Sequence, residues 1–444
     1  MDPATLAGLI LLAGIVIGIV YSVPIAVVIG TASFLAAIPL LGLEHAVIVT
    51  AQRVFTGINS FPLLAIPLFV LAGVIMNTGG IAGRLVDAAK VLTGRMFGSV
   101  SGAAVAAAAA VGSVMNPRMV AEGYDRRFAA SVNVASASSG MLLPPSNTFI
   151  VYALVSGSSI AALFMAGIGP GLLWALACMV VVYAYARKQP GKLKSDERVT
   201  FAQGAQVMWR AAPSLLMIVV VIGGILGGFF TATESASIAV VYCLLLSAIY
   251  RTIGFKHLPE IAVVYCLILG LIYRTLRLKD LPGILVEAGR TTAIVMLLVG
   301  VSTALSFVMT FAGIPDAISG FVLGLTDSPT VVLLLMMAVL ILIGTVMDPT
   351  PAILIFVPIF LPIATEFGID PVHFGAMVVM NLSLGVITPP IGNVLFVGSR
   401  VAGLPIEPVI GQLWRFLGMI LLALLLVVFI PHLSVWLPTV LGLM

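Results

Sequence analysis

Apolar runs long enough to cross a membrane recur along the whole chain. They lie at residues 4–20, 61–76, 213–230, 292–311, 331–346 and 416–431. A helical span needs about 20 mostly apolar residues, and helices satisfy their own backbone groups inside lipid. With 61% hydrophobic and 9% charged residues, the chain is too apolar for a soluble domain. We therefore predict an all-α polytopic membrane protein with about ten to twelve spans.

The charged residues indicate topology rather than a binding face. They are scattered at span ends, so the net charge of +4 does not predict nucleic acid as a partner. The densest cluster, RKQPGKLKSDER at residues 187–198, is expected in the cytoplasm by the positive-inside rule and separates two halves. The start, MDPATLAG, lacks the basic region of a secretory signal, so we expect no cleaved leader. The three cysteines lie in apolar runs and predict neither disulfide nor metal site.

An internal repeat relates the two halves at a spacing of 245 residues. GMLLPPSNTFIV begins at Gly140 and GVITPPIGNVLF at Gly385, and a GxD sequence precedes each by the same interval. Each half also has a segment rich in small residues, 98–112 or 344–352, before its GxD. These patterns predict two inverted repeats, each with a re-entrant hairpin followed by a helix that is broken at Pro-Pro.

The prolines explain why these helices are interrupted. Proline has no amide hydrogen, so the carbonyl one turn earlier loses its helical partner. Inside a membrane such carbonyls must be buried against protein or bind a cation. Paired interrupted helices in two repeats are typical of secondary transporters, in which helix ends and free carbonyls bind the coupling ion and substrate. Ion-coupled transport is the predicted function.

Longer motifs resemble a known family. SGAAVAAAAAVGS at 101–113, GYDRRFAASVNVASASSGMLLPPS at 123–146, MDPTPAILIFVPIFLPIA at 347–364 and GIDPVHFGAMVVMNLSLGVITPPIG at 368–392 are similar to the large membrane subunit of TRAP transporters, the DctM type. The resemblance implies a sodium-driven importer of the bacterial inner membrane that works as an elevator. Its implied partners are a small four-helix membrane subunit, a periplasmic substrate-binding protein, an organic anion and membrane lipid. It implies no enzyme activity, and no cofactor beyond Na⁺ as the coupling ion.

The resemblance also predicts how the chain is divided. Scaffold helices are expected at 1–95 and 191–330, and a C-terminal helix at 404–444. The first transport repeat is expected at 96–190, with its hairpin at 97–122 and its broken helix at 125–155. The second is expected at 331–403, with its hairpin at 344–367 and its broken helix at 370–400.

The family's two sodium sites lie where a hairpin tip meets a broken helix, and no other metal is implied. The motif match places the second site at Gly344, Gly385, Thr388 and Ile391, with Asp348 on the tip. Subtracting 245 gives Ser99, Gly140, Leu143 and Ser146 for the first site, with Ser101 nearby. Backbone carbonyls and the Thr388 hydroxyl would suit a hard cation. The family often has a further Ser or Asp where this chain has Ala103 and Ala107.

Several polar side chains have two interpretations. Asp348 either binds the cation or locks the hairpin, or else it caps the next helical arm. Asn147, Thr148, Ser383 and Asn393 flank the breaks, where they either hydrogen-bond a hydroxylated substrate or satisfy loosened backbone. The SNT sequence after Pro-Pro favours a sugar acid as substrate, with a C4-dicarboxylate as the second choice.

A second repeat fits neither the physics nor the family. AVVYCLLLSAIYRTIGFKHLP, from Ala239, recurs as AVVYCLILGLIYRTLRLKDLP, from Ala262, with 14 of 21 positions identical. Two spanning copies within 239–284 would reverse the orientation of everything that follows. We interpret the second repeat as a recent tandem duplication or an artificial sequence, with one copy spanning. Deletion of 239–261 should then preserve or improve membrane insertion.

Two other function classes were weighed. A membrane hydrolase would need a base beside its serine, and the four histidines fall near predicted span ends, away from the GxS at Gly157. A passive channel, or a proton-coupled carrier without a binding protein, is the better alternative, because channels also use re-entrant hairpins.

Overall fold

The computed structural model describes residues 2–21, 23–59, 123–188, 201–249, 281–314, 328–389 and 392–444, with isolated positions between 65 and 121 and at 317 and 320. Within these ranges the fold is helical. The helices are α1 Pro3–Val20, α2 Ile25–Leu41, α3 Leu43–Ile58, α4 Arg126–Ala137, α5 Asn147–Ser156, α6 Ile160–Arg187, α7 Phe201–Leu226, α8 Ala232–Ile249, α9 Leu281–Phe311, α10 Pro329–Val346, α11 Pro349–Glu366, α12 Pro371–Gly385, α13 Asn393–Ala402, α14 Ile406–Phe429 and α15 His432–Val440. A short 3-10 helix, Ser138–Met141, continues α4.

The two GxD sequences start α4 and α12 in the same way. Asp125 caps α4 by accepting from the Arg127 amide, and Asp370 caps α12 by accepting from the amides of Val372 and His373. Such caps satisfy amides at a helix start that have no partner within the helix. Gly123 and Gly368, two residues before each aspartate, have φ of 98° and 74°, a backbone conformation that favours glycine.

The helices pack in three groups. In the first, α9 packs on α2 and α3, and α2 also packs on α1. Small residues let these helices approach closely, since a Cβ added to Gly14 would lie 2.9 Å from the Ala32 Cβ, and one added to Gly57 would meet Thr303. The second group is α7 with α8. The third contains α4 to α6 and α10 to α15, and α9 contacts it at α11.

Four of the described helices are long and apolar enough to cross a membrane by length and composition: α6, α10, α11 and α14. The predicted span at 61–76 and the predicted hairpin at 97–122 fall mostly on residues outside the described ranges, so the count of ten to twelve stays a prediction. Helices α10 and α11 pack together around a turn at Met347 and Asp348, and we name this unit hairpin 2. Its first arm starts at Pro329, 15 residues before the predicted boundary at 344, because the apolar run before the tip is itself one helix.

The first copy of the duplicated segment packs as an ordinary helix as far as Ile249, the end of α8. Its Tyr242 hydroxyl donates to the Pro213 carbonyl of α7 at 2.9 Å, and Ala239 and Cys243 are buried. The second copy, up to residue 280, lies outside the described residues. The deletion of 239–261 therefore requires the second copy to supply the same contacts, which its identical Tyr265 and Cys266 permit by sequence.

Candidate functional site

Break 1 is the non-helical stretch at residues 142–146, between the 3-10 helix and α5. In a continuous helix the Met141 carbonyl would accept from residue 145, but Pro145 has no amide hydrogen. The carbonyl instead accepts from the Ser146 hydroxyl and from the Thr148 hydroxyl, the latter at 3.1 Å. The two hydroxyl oxygens are 2.7 Å apart. Side chains thus replace the amide that the proline removes.

The outer side of break 1 lies against α6. A Cβ added to Gly167 would meet the Leu142 carbonyl oxygen, and one added to Gly171 would lie 2.8 Å from Leu143 Cδ2. The glycines of the GIGPG sequence of α6, residues 167–171, therefore let the backbone and side chains of break 1 pack closely against α6. The predicted site residue Leu143 is part of this contact.

Break 2 is residues 386–392, between α12 and α13, and residues 390 and 391 lie outside the described ones. In the sequence Pro390 follows Val386 by four residues, as Pro145 follows Met141, so the Val386 carbonyl also lacks a helical amide partner there. It accepts from the Val394 amide at 3.2 Å instead. The Thr388 amide donates to the Gly385 carbonyl at 2.9 Å, and the Thr388 hydroxyl donates to the Leu384 carbonyl at 2.7 Å. Backbone amides therefore hold most of this break.

Carbonyl oxygens converge in break 2 beside Gly392. This glycine has φ 50° and ψ 83°, and a Cβ there would lie 3.0 Å from the Thr388 oxygen and 3.1 Å from the Val386 oxygen. The space that a side chain would take is bordered by two oxygens with the same partial negative charge. Oxygen atoms gathered in this way are the ligands that hard cations prefer.

The tip of hairpin 2 lies directly on break 2. A Cβ added to Gly385 would be 2.5 Å from the Gly344 Cα, so the two backbones are in contact. The Gly392 amide donates to the Thr345 carbonyl at 3.2 Å, which ties the other end of the break to the same tip. The structure thus brings together Gly344, Gly385 and Thr388, three residues that the sequence placed in one site.

Asp348 and Asn393 form a second tie between the tip and the break. The Asn393 Nδ2 donates to Asp348 Oδ1 at 2.7 Å, and Asp348 is exposed. Asp348 stands before α11 but its side chain makes no capping hydrogen bond. Pro351, the third residue of α11, removes one of the two amides that such a cap would use. Of its two interpretations, the geometry favours the hairpin lock over the cap.

The half-helices of the two repeats cross each other. Tyr152 of α5 packs on Gly375 of α12, and its hydroxyl donates to the Pro371 carbonyl at 2.6 Å. In the other crossing, α13 packs on α4, and Gly398 receives the Val134 side chain. Each repeat therefore supplies a notch for the other, and both breaks lie in one buried body.

Comparison with known proteins decides the family. The model of the tripartite ATP-independent periplasmic transporter family, DctM component, matches residues 12–433. The chain belongs to this family. As a DctM-family protein it is a multi-pass membrane transporter subunit, and its named relatives are transporter permeases, not enzymes.

Two proteins are similar to the chain in sequence along most of their length, and one solved structure is similar in fold. The uncharacterized protein YgiK of Salmonella typhimurium is 43% identical over 94% of this chain and 94% of its own length. The C4-dicarboxylate TRAP transporter large permease protein DctM of Pseudomonas aeruginosa is 36% identical over 88% and 90%. The crystal structure of the Alcanivorax borkumensis YdaH transporter, described as having an unusual topology, covers 98% of this DctM chain and 100% of its own, with TM-score 0.59 and 14% identity. At this identity the likeness shows the fold alone.

The other predicted site residues of this DctM chain divide into three sets. Ser99, Ser101 and Ile391 lie outside the described residues. Gly140 lies in the 3-10 helix before break 1, beside the Ser146 and Thr148 pair, so Thr148 falls with the first predicted sodium site. Ser383 is buried inside α12 and donates to the Val379 carbonyl of its own helix at 2.7 Å. That bond lies within the regular part of α12, and a role of Ser383 in substrate binding stays a prediction.

The spacing of the repeats changes at the breaks. Up to Pro-Pro it is 245, but α5 begins at Asn147 and α13 at Asn393, so it is 246 afterwards. Break 2 therefore has one extra residue. Ser146 is the last residue before α5, as Gly392 is the last residue before α13. Subtraction of a constant offset cannot detect this insertion.

Two buried asparagines were missed by the sequence reasoning. Asn133 Nδ2 donates to the Ala108 carbonyl at 2.9 Å, and Asn381 Nδ2 donates to the Met337 carbonyl at 3.0 Å. Asn381 lies in the apolar helix α12, where a polar side chain is itself a signal, whereas α4 around Asn133 has other polar residues, so Asn133 does not stand out in the sequence. The GxS serines, in contrast, have local roles, because Ser158 bonds Ser156 and Ser159 caps α6.

Proposed function

We propose that the chain is the substrate-translocating subunit of a tripartite TRAP transporter, and that it couples uptake of a small organic anion to sodium. It would work by an elevator mechanism in the bacterial inner membrane. A small four-helix membrane subunit would brace it, and a periplasmic substrate-binding protein would deliver the substrate. The substrate class is a sugar acid or a C4-dicarboxylate, and the second is supported by the name of the Pseudomonas aeruginosa relative.

The convergence of carbonyl oxygens beside Gly392, under the tip of hairpin 2, carries the sodium proposal. Val386 and Thr388 supply two carbonyl oxygens. The Thr388 hydroxyl uses its hydrogen to donate to the Leu384 carbonyl, so the lone pairs of the hydroxyl oxygen are free to bind a cation. A sodium ion there would be bound by neutral oxygens, which would replace the water molecules of its hydration shell without a charged ligand.

The substrate proposal follows from the half-helices. Helices α5 and α13 both begin at the breaks, and a helix start carries a partial positive charge that favours anions. Asn147 and Asn393 are the first residues of these helices, where an amide side chain can hydrogen-bond a carboxylate or hydroxyl group. An organic anion between the two helix starts would neutralise both.

The first test is a thermal-stability titration of the purified chain with NaCl against KCl at constant ionic strength. Sodium should stabilise the parent selectively, since a ligand that binds only the folded state raises its stability. Thr388→Ala should raise the half-saturating sodium concentration about tenfold, by analogy with other ligand-shell changes.

A matched control is Thr31→Ala. Thr31 donates to the Val27 carbonyl at 2.7 Å, the same bond that Thr388 makes, but in an unbroken helix of the first group. This variant should keep the parent's sodium response. Equal responses to NaCl and KCl in the parent would refute sodium coupling and favour proton coupling or a pore.

Uptake into proteoliposomes tests transport itself. With the binding protein and small subunit present, uptake of a labelled C4-dicarboxylate or sugar acid should saturate and should require an inward sodium gradient. Uptake that is linear with concentration and independent of sodium would identify a channel instead.

A further inference from the structure

Two asparagines occupy matching places on the first halves of the broken helices. Asn133 is 4% exposed and Asn381 is 0% exposed. At a spacing of 245, Asn133 corresponds to residue 378, three residues from Asn381, and positions three apart lie on the same helix face. Each side-chain amide donates to a carbonyl of the hairpin segment in its own repeat, Ala108 or Met337.

The bonds do not satisfy these side chains completely. The Oδ1 atoms of Asn133 and Asn381 are buried and have no hydrogen-bond partner among the residues that the structure describes. A buried acceptor without a partner costs free energy, whereas a leucine, which has a similar branched shape, would not have this cost. Stability therefore does not explain why an amide stands at either position.

The packing around Asn133 is shaped for the amide. A Cβ added to Gly112 would lie 2.9 Å from the Asn133 Cγ, and it would overlap the amide nitrogen. Ala108, the acceptor, is four residues earlier, which is about one helical turn. The small residues at 108 and 112 thus form a notch that admits this side chain and presents a carbonyl to it.

The Asn381 contact fixes the position of hairpin 2 along α12. Met337 contacts Asn381, and further along the same two helices Gly344 contacts Gly385. If α10 slipped along α12, the Gly344 contact at break 2 would be lost with it. A directional hydrogen bond resists such a slip, while apolar packing alone allows neighbouring registers.

We propose that Asn133 and Asn381 are positioning residues, each of which fixes a hairpin segment on its own broken helix and so sets the geometry of the ion site at the adjacent break. The inference rests on the proposed sodium coupling. It adds two residues that do not touch the ion but determine how well the oxygens at the breaks are placed.

The test uses Asn381→Leu and Asn133→Leu in the full chain, with sodium titration of thermal stability as the readout. Each variant should raise the half-saturating sodium concentration about tenfold, as expected for groups that orient metal ligands. The melting temperature without sodium should change little, because an unsatisfied polar atom is removed together with one hydrogen bond.

Trp174→Phe is the matched control. The Trp174 Nε1 donates to the Ala135 carbonyl at 2.8 Å, so this variant also removes a buried bond to α4, but from α6 and not from a hairpin. It should lower the melting temperature and leave the sodium response unchanged. If Trp174→Phe and the asparagine variants affect the sodium response equally, or none of them affects it while the parent responds, the positioning role is refuted. A parent without any sodium response would instead refute the proposed function.

A compensating pair tests the notch directly. Gly112→Ala alone should shift the sodium response in the same direction as Asn133→Leu, because the added methyl group displaces the amide. In an Asn133→Ala background the methyl group has room, so the melting temperature of the double variant should equal that of Asn133→Ala. Additive losses in melting temperature would show that Asn133 does not occupy the notch.

Discussion

Met141 and Val386 are 245 residues apart, and each is followed four residues later in the sequence by a proline, which has no amide hydrogen to donate to its carbonyl. In break 1 the Met141 carbonyl is held by two side-chain hydroxyls. In break 2 the Val386 carbonyl is held by a backbone amide, that of Val394. The same loss of a helical hydrogen bond is therefore repaired by side chains in one repeat and by the backbone in the other.

This difference determines what each break can respond to. The hydroxyls of break 1 belong to the break and to α5, so that repair is local. In break 2 the backbone also bonds the tip of hairpin 2, through Gly392 and Thr345, and meets it at Gly344. Movement of hairpin 2 must change the oxygen geometry of break 2. The ion binding that we propose at break 2 is therefore linked to the position of hairpin 2.

The largest effect is expected at the contact between the backbones of Gly385 and Gly344. Gly385→Ala places a Cβ 2.5 Å from the Gly344 Cα and 2.6 Å from its carbonyl carbon, and neither atom can rotate away. We expect a loss of about 3 kcal/mol in stability, the upper range for overpacking, together with loss of sodium stabilisation. The melting temperature and the sodium titration measure both.

Gly171→Ala is its counterpart at break 1. The added Cβ would meet Leu143 Cδ2 at 2.8 Å, the far end of a flexible side chain that can change rotamer. A cost of about 1 kcal/mol or less is expected. A penalty as large as that of Gly385→Ala would show that break 1 is as rigidly seated as break 2.

How far the sequence predicts the structure depends on the kind of contact. The helical class follows from hydropathy and the starts of α4 and α12 from the GxD sequences, while the meeting of Gly344 with Gly385 was implied by the family resemblance. The tie between Asp348 and Asn393 does not, because those residues are 45 apart and only the turn of hairpin 2 brings them together. The extra residue in break 2 was also missed, because the motifs give the spacing between the helices before the breaks but not the number of residues within each break.

An intermediate effect is expected at the hydroxyl pair of break 1. Ser146→Ala or Thr148→Ala alone leaves one hydroxyl on the Met141 carbonyl, so each should cost less than about 1 kcal/mol. The double variant leaves that carbonyl without either hydroxyl, and the cost should reach about 2 to 3 kcal/mol. The excess over the sum is the coupling between the two side chains.

Thermal unfolding of the four proteins in this cycle measures the coupling. Thr388→Ala provides the comparison with break 2, where amides hold the backbone without help from the hydroxyl, and it should not reduce the stability measured without sodium by more than about 1 kcal/mol. Strictly additive losses in the Ser146 and Thr148 cycle would mean that the two hydroxyls do not share the carbonyl.

The smallest effect is expected at the tie between Asp348 and Asn393. The position 245 residues before Asp348 is Ala103, whose side chain cannot accept a hydrogen bond. Because Asp348 is exposed, its bond competes with water, and Asp348→Ala should cost about 1 kcal/mol or less. The half-saturating sodium concentration should rise about threefold, which corresponds to about 0.7 kcal/mol.

A double-variant cycle separates the lock from a direct role in binding the cation. If Asp348 acts by holding Asn393, then Asp348→Ala, Asn393→Ala and the double variant should all raise the half-saturating concentration by the same factor, since each removes the same bond. Asp348→Asn keeps an acceptor for Asn393 and should restore most of the parent's response. A much larger loss in Asp348→Ala and Asp348→Asn than in Asn393→Ala would contradict the lock, because only a carboxylate that contacts the cation loses its effect when its charge is removed and its shape is kept. In that case the charge would be part of the ion site, and the two breaks would differ in electrostatics as well as in the way their backbones are held.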